Sequence, residues 1–360
     1  VQERCEKAAN LVDDYYGGKG CAKYGDFREV LSRNDIDAVI IAPQDHWHGV
    51  MATASAAAGK DMYCEKPLGV SVRECQAIRD AVRRHNVIFQ TGTQQRSSRD
   101  FKQACELARS GLLGTIHTVE VAAPGPSYQP KYDGPLDPQL VPPGLDWEMF
   151  VGPAPMKPYN PGRMEWPDWY LIWDYCAGFI VNWGVHHLDI AIWGCPRLMA
   201  QPFDLTCTAD YRKKGFTDNI NGWQAEFVYP DGLRMKFTDT DNPYPQGCCF
   251  RGDGGWVHVN RKGIKAEPAS LLETPLPASA ERLYESTHHA RDFIQAVKSR
   301  RDPVSPVESG CQASYLGMLA DIAARLQRKV RWNPNTEEFL DNDGEAAKML
   351  HRPLRAPWTL

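Results

Sequence analysis

No apolar run in the 360 residues approaches the roughly 18 consecutive positions that a membrane-spanning helix requires. Neither sign of charge is gathered into a long block, and 41 basic against 45 acidic residues leave a net charge of −4. The first lack argues against a helical bilayer span, and the second against a surface that tracks nucleic-acid phosphates. A small-molecule partner is the expectation, with neither membrane nor nucleic acid. No Cys-x-x-Cys or His-Glu-x-x-His spacing occurs, so no metal is expected. Internal repeats and low-complexity tracts are absent. The eleven cysteines are an odd number and fall mostly inside apolar patterns, such as Cys64, Cys75 and Cys105, which fits reduced, buried thiols better than a disulfide framework. Cys248 and Cys249 are adjacent and too close for a simple bridge. The lack with most consequence is glycine in one place. Gly17, Gly18 and Gly20 do not complete Gly-x-Gly-x-x-Gly, and they follow a helical pattern where a dinucleotide fingerprint follows a strand. They read as a helix stop and a loop.

The chain starts at Val1, and Cys5, Ala8, Leu11, Val12 and Tyr15 recur at helical spacing, so it opens inside a helix. An N-terminal segment is expected to precede it. A cytoplasmic location is expected, or a periplasmic one if that segment carries an export signal. The length suits two domains.

From residue 37 to about 93, short apolar runs alternate with amphipathic stretches, the rhythm of parallel βαβ units covered by helices on both faces. The run 37–42 (DAVIIA) predicts a buried strand, 46–58 a helix closed by Gly59, and 61–64 the next strand. Ser71 and Glu74 form a capping box for a helix with Val72, Cys75, Ile78 and Val82 on one face, and 87–91 returns as a strand. After about residue 115 longer strands take over. The segments 224–229 and 233–238 flank Pro230-Asp231-Gly232 as a hairpin, with 205–211 as a neighbouring strand. Between the two regions lies a Pro-rich and Trp-rich stretch, roughly 124–173, expected to pack over a site. Stripes through Ala290, Phe293, Ile294 and Val297, and through Leu316, Leu319, Ile322, Ala323 and Leu326, predict core helices. The fold class expected is α/β: a Rossmann-type parallel sheet, incomplete at its N-terminal side, over residues 1–115; an α/β domain with a large open, mainly antiparallel sheet for substrate binding and oligomerisation over 116–330; and a C-terminal extension, 331–360, packed on both.

Three clusters can carry chemistry. Glu65-Lys66-Pro67 stands at the carboxyl end of a predicted parallel strand, the edge of an open α/β sheet where ligands bind. A lysine there, with its pKa lowered by burial and a nearby nicotinamide cation, can exchange the proton that accompanies hydride transfer. The bland alternative is a solvated strand-end lysine paired with Glu65. On a helix, Asn182, His186 and Asp189 lie at i, i+4 and i+7 on one face, with His187 turned about 100° away. His186 can exchange a proton with a substrate hydroxyl while Asn182 orients it; the alternative is a core histidine. Asp45-His46-Trp47-His48, opening a helix after a strand, suits contact with a dinucleotide's ribose or nicotinamide.

Taken together these motifs resemble the Gfo/Idh/MocA family of oxidoreductases over nearly the whole chain. The resemblance rests on AVIIAPQDHWH (38–48), YCEKP (63–67), QTGTQQR (90–96), WEMFVGPAPMKPY (147–159) and the stretch 178–189, with 325–332 and 355–358. It implies an N-terminal Rossmann domain for NAD or NADP, a C-terminal α/β domain whose open sheet supports a homo-oligomer (dimer or tetramer), a catalytic Lys66, and a helix with an acid and a histidine at positions 182 and 186. On this basis Lys66, His186 and Asn182 are expected to be catalytic. Pro43, Gln44, Asp45, His48, Glu65 and Gln95 are expected, with Lys66, at the cofactor. Arg96, Trp147, Trp173, His187 and Asp189 are expected at a carbohydrate substrate, the tryptophans by stacking on sugar faces. Three features depart from the family: the glycine loop is missing, Pro43-Gln44 stands where relatives have Thr-Pro, and Asn182 stands in place of the helix acid. The function expected is hydride transfer between NAD(P) and a hydroxyl-bearing carbon of a sugar, glycoside or cyclitol. Redox-assisted glycoside cleavage on the same fold, and a non-catalytic homologue without dinucleotide binding, are the alternatives.

Overall fold

Short apolar strands separated by amphipathic helices build the first layer. The computed structural model describes every residue except 19, 127–129, 133, 213, 214, 241 and 242. Part of the 124–173 stretch therefore lies outside the described residues. Helix α1 (Gln2–Tyr16) ends on Gly17 in the left-handed region at φ 68° and is followed by α2 (Phe27–Leu31), whose N-cap Asp26 accepts from the Arg28 amide. Strands β1 (Ala38–Ile41), β2 (Asp61–Cys64) and β3 (Phe89–Thr91) pair in parallel in the order β1-β2-β3. Helices α3 (His48–Ala57) and α4 (Val72–His85) connect them. The cap of α4 forms as the Ser71/Glu74 spacing requires, except that the Glu74 carboxylate reaches one residue further and accepts from the Val70 amide at 3.0 Å.

Coverage of this sheet on both faces is incomplete at its edge. Helix α9 (His289–Ser299; helices α5 to α8 follow below) packs Phe293 and His289 on Tyr63 of β2. It does not extend over Ile40, which stays 74% exposed on β1. A strand with β-propensity and an apolar run was expected there, and the strand forms; its burial depends on neighbours that the run itself does not supply.

Helix α5 (Arg99–Arg109) leads into the second sheet. Its strands are β4 (Ile116–Ala123), β5 (Phe203–Tyr211), β6 (Ile220–Val228), β7 (Arg234–Asp239), β8 (Gly247–Gly252), β9 (Gly255–Asn260), β10 (Gly263–Glu267), β11 (Val330–Asn333) and β12 (Glu338–Phe339). Their order is β10-β9-β8-β4-β7-β6-β5-β11-β12, antiparallel throughout except for the parallel β4/β7 pair. The predicted 224–238 hairpin is β6-β7, with β5 beside it. Two-residue alternation gives each strand an inner apolar and an outer polar face: on β5, Leu205 and Cys207 are buried while Thr206 and Thr208 are exposed. Strands β11 and β12 extend this sheet, so residues 330–339 belong to its edge and only the tail beyond them wraps the surface.

Helices α6 (Trp147–Val151), α7 (Phe179–Asn182), α8 (Gly184–Gly194), α10 (Val307–Leu326) and α11 (Gly344–Met349) fill the rest. Helix α8 lies flush on the inner face of the large sheet, and glycine makes this possible: a Cβ on Gly194 would stand 2.3 Å from the Phe250 ring. Helix α10 spans the junction of the layers, touching α4 and β3 on one side and α8 and β5 on the other. One continuous buried cluster therefore runs from Met62 and Phe89 through Leu316 to Phe227, Phe237 and Phe250. Each fully buried side chain of this size contributes about 1.5–3 kcal/mol. All eleven cysteines are free, nine of them buried. Among the described residues no helix is long and apolar enough to cross a membrane.

Candidate active site

Strand β2 delivers Lys66 to the carboxyl edge of the parallel sheet, where its ammonium meets the end of α7. Lys66 Nζ donates to the backbone carbonyl of Asn182 at 3.0 Å and to the Asn182 side-chain oxygen. The amide nitrogen of Asn182 in turn donates to both carboxylate oxygens of Asp45, each at 3.0 Å. Cys176 Sγ donates to the same carboxylate at 3.1 Å. A relay runs from an ammonium through an amide to a carboxylate that is only 3% exposed. It fixes which way the Asn182 amide points, since an ammonium can only donate and a carboxylate can only accept.

The arrangement also accounts for the amide at position 182. An aspartate there would set its carboxylate against Asp45 at the distance of the present hydrogen bonds, and two carboxylates so close cannot both ionise. The carboxylate behind this lysine stands at Asp45, in the short turn that opens helix α3, with the Asn182 amide between them. Burial lowers the pKa of the Lys66 ammonium, while the charges of Asp45 and Glu65 oppose that shift and Arg261 adds to it.

His186 lies in the first turn of α8, 5% exposed, and its Nδ1 is buried without a hydrogen-bond partner in the protein. Burial holds its pKa well below the ordinary histidine value, and the charges of Lys66 and Arg261 push it further down. The ring is a neutral imidazole at neutral pH. The 182–189 segment is not one uninterrupted helix face. At Trp183 the chain makes a tightened turn in which the His186 amide bonds the Trp183 carbonyl at 3.2 Å. Asn182 then faces Asp45 and Lys66, whereas Asp189, 0% exposed, receives a bidentate pair from Arg96 at 2.8 and 2.7 Å. Arg96 also stacks on Trp193 and bonds the Val304 carbonyl. Each of these two residues, expected at the substrate, satisfies the other.

The remaining expected residues divide in the same way. Pro43 and Gln44 stay partly exposed at the end of β1, and Glu65 beside them accepts from the Lys66 amide. His48 spans the two strand ends, with Nδ1 at 2.7 Å from the Pro67 carbonyl and Nε2 at 3.2 Å from the Pro43 carbonyl. His46 is enclosed between the Tyr175 and Phe150 carbonyls, and burial pushes its pKa down to about 4. The Gln95 amide is occupied: it donates to the His186 carbonyl and to His187 Nδ1, and accepts from Arg261. His187 is fully buried against Phe101, with its pKa pushed down by burial to about 3. Trp147 packs with Phe150 and Tyr159 and donates to the Lys157 carbonyl. Trp173 is sandwiched between Arg352, 3.6 Å from its ring centroid, and Arg325 at 4.7 Å, and donates to Asp321. One builds a satellite core and the other packs against Arg352 of the C-terminal tail.

Three residues at this site had no signal in the sequence: Cys176, Trp183 and Arg261. The last stands in the turn Asn260-Arg261-Lys262-Gly263 between β9 and β10, which reads as an ordinary polar hairpin loop. Only the sheet order brings it back to α8.

The residues present fit the nicotinamide end of a dinucleotide. A strand-end lysine and a buried imidazole nitrogen with no protein partner lie together at the carboxyl edge of the parallel sheet. They supply no counterpart of the glycine turn for the diphosphate. Among the described residues, no group of three or more His, Cys, Asp and Glu side chains is placed to hold a metal ion.

Residues 2–93 match a family model described as the Oxidoreductase family, NAD-binding Rossmann fold, and residues 98–360 match one described as the Oxidoreductase family, C-terminal alpha/beta domain. Among curated relatives, an uncharacterized oxidoreductase, YrbE, of Bacillus subtilis is 34% identical over 101 residues, covering 28% of this chain and 30% of that protein. The myo-inositol 2-dehydrogenase of Thermotoga maritima is 27% identical over 140 residues, covering 39% of this chain and 40% of that protein. The chain thus spans well under half the length of these relatives in the matched parts. Among solved structures, an aldose-aldose oxidoreductase from Caulobacter crescentus complexed with glycerol superimposes with a TM-score of 0.66 at 18% identity, covering 90% of this chain and 88% of that one. A levoglucosan dehydrogenase in complex with NADH and levoglucosan gives 0.61 at 17% identity, covering 90% and 87%. At such identities the likeness shows the fold.

Proposed function

Since the chain belongs to the Gfo/Idh/MocA family of oxidoreductases, we propose that it moves hydride between NAD or NADP and a hydroxyl-bearing carbon of a sugar, glycoside or cyclitol, with Lys66 as the proton-exchanging group. The nicotinamide, when bound, supplies the hydride acceptor or donor. In alcohol oxidation, Lys66 in its neutral form takes the hydroxyl proton as the carbon–oxygen bond becomes a carbonyl; in reduction its ammonium returns that proton. Desolvation of the lysine brings its pKa toward the working range. Asn182 cannot exchange a proton and acts by holding Nζ in place, with Asp45 fixing the amide behind it. His186, neutral and with a free ring nitrogen, serves as a hydrogen-bonding partner for the substrate or the nicotinamide end and carries less of the proton transfer than the i, i+4 spacing alone implied. Pro43, Gln44 and Glu65 border the cofactor in this reading. Residues 1–115 carry the dinucleotide end, and 116–330 carry the substrate end. The polar outer face of the large sheet, with Thr206, Thr208 and Glu226 on adjacent strands, is assigned to contact between copies of the chain.

The observation that carries the proposal is the Lys66-Asn182-Asp45 relay beside the unpartnered His186 nitrogen at the carboxyl edge of the parallel sheet. Purification of the complete natural chain, followed by NAD(P)H absorbance with a panel of sugars and cyclitols, tests it. Lys66→Ala is expected to abolish turnover while leaving the unfolding transition in place. Retained turnover refutes the role of Lys66.

A further inference from the structure

Asp45 and Glu65 match the formal charges of Lys66 and Arg261, but neither carboxylate touches Arg261. Arg261 reaches from the β9-β10 turn to the first turn of α8, where its Nε donates to Gln95 Oε1 at 3.2 Å and its guanidinium lies 4.6 Å from the Trp183 ring centroid. Among the described residues no carboxylate pairs with it, and these two contacts leave the outer pair of guanidinium nitrogens open. The carboxylates nearest Lys66 are held by neutral donors and do not reach Arg261. Asp45 accepts from Asn182 and Cys176, and Glu65 accepts from the Lys66 amide. Arg261, an exposed turn residue, is thus a cation without a carboxylate partner beside His186.

Resting on the reading that a sugar-like alcohol reacts at Lys66, we infer that the substrate of this site carries an anionic group, a carboxylate or a phosphate, received by the outer edge of the Arg261 guanidinium. A guanidinium held over an indole, with Nε tied back to Gln95, leaves its two Nη groups free for the fork geometry that matches two oxygens of such an anion. Gln95 is the hinge of the arrangement, because the same amide that orients Arg261 holds the His186 carbonyl at 2.8 Å. Arg261 also contributes to the lowered pKa of Lys66 and His186. An anion on Arg261 offsets that charge, so substrate binding strengthens the hold of Lys66 on its proton.

The test is calorimetric titration of the full chain, with and without NADH, using D-glucuronate, D-glucose 6-phosphate, methyl β-D-glucopyranoside and myo-inositol. At least one anionic probe is expected to bind about tenfold or more tightly than the neutral ones, as for a charge-assisted bidentate contact, and to weaken as salt rises. The glucuronate and phosphate arms tell which anion the site takes. Arg261→Gln is expected to erase the preference, with Arg261→Lys retaining part of it. Equal or tighter binding of the neutral probes, no binding of either anion, or a preference that survives Arg261→Gln in a normally folded variant overturns the inference. NADH formation is followed separately. An anionic preference without NADH formation from any probe keeps this inference and sinks the oxidoreductase reading, while NADH formed from neutral sugars without an anionic preference does the reverse.

Discussion

Replacing Asp45 with asparagine tests the relay at its outer end, away from any group that touches substrate. The side chain keeps its shape, so no cavity opens. An amide at 45 can still accept from Asn182 through its oxygen, but it turns its NH2 toward Cys176, and the Asn182 amide loses the charge that fixed its direction. Exchanging a charged acceptor for a neutral one reduces a hydrogen bond of about 1.5–3 kcal/mol to about 0.5–1.5 kcal/mol, a loss of about 1–1.5 kcal/mol, so kcat/KM is expected to fall about 5- to 13-fold. The pH profile supplies the sharper readout. Asp45 favours the protonated form of Lys66 more than any other neighbour. Removing its charge lowers the lysine's pKa, and the acidic limb of kcat/KM for alcohol oxidation, where neutral Lys66 is the base, moves to lower pH. The assay is initial-rate NAD(P)H formation across pH, with urea unfolding to confirm that the variant is folded. A limb that stays in place with an unchanged plateau refutes the relay.

Arg96→Met tests whether the Arg96-Asp189 pair is structural. It strands a fully buried carboxylate, and the unfolding free energy in urea is expected to drop by about 3–5 kcal/mol; a raised KM with unchanged stability would return the pair to the substrate. Glu74→Gln tests the buried cap of α4. Burial pushes the Glu74 carboxyl up to about 7, above its unfolded value near 4.5. The folded state binds this proton more tightly, so the wild type loses about 3 kcal/mol of stability as pH rises from 4.5 through 7. The variant lacks that loss: it is expected to match wild type at pH 4 and exceed it at pH 7.5 in denaturant titrations, and equal curves at both pH values would exclude a buried, neutral Glu74.

The elements were legible because they are written locally. Apolar runs bounded by turns placed β1 and β2, Ser71 and Glu74 placed the start of α4, and Pro230-Asp231-Gly232 placed the β6-β7 hairpin. Lys66 stood out in the sequence only together with His186 and the family resemblance, since a lysine at a strand's carboxyl end by itself reads as well as a solvated side chain. What side chains do with one another was not written locally. Arg96, Asp189, Trp147 and Trp173 have the residue types of a sugar site, yet each finds its partner within the protein, Arg96 and Asp189 with one another and Trp173 with Arg352 across separations that no spacing rule spans. The same holds for Asp45. Its place in a DHWH motif marked it as a cofactor contact, and only the approach of α7 to the end of β1 makes it the carboxylate behind Asn182. Arg261 is the far case, a turn residue brought beside Lys66 by the β8-β9-β10 meander and by α8 lying flush on the sheet. The sequence by itself determined the strands, the helices and the family to which the chain belongs, because hydrophobic period and capping act over a few residues. The tertiary structure alone decided which charges are already paired and which remain open, because that depends on distances between segments roughly a hundred residues apart or more.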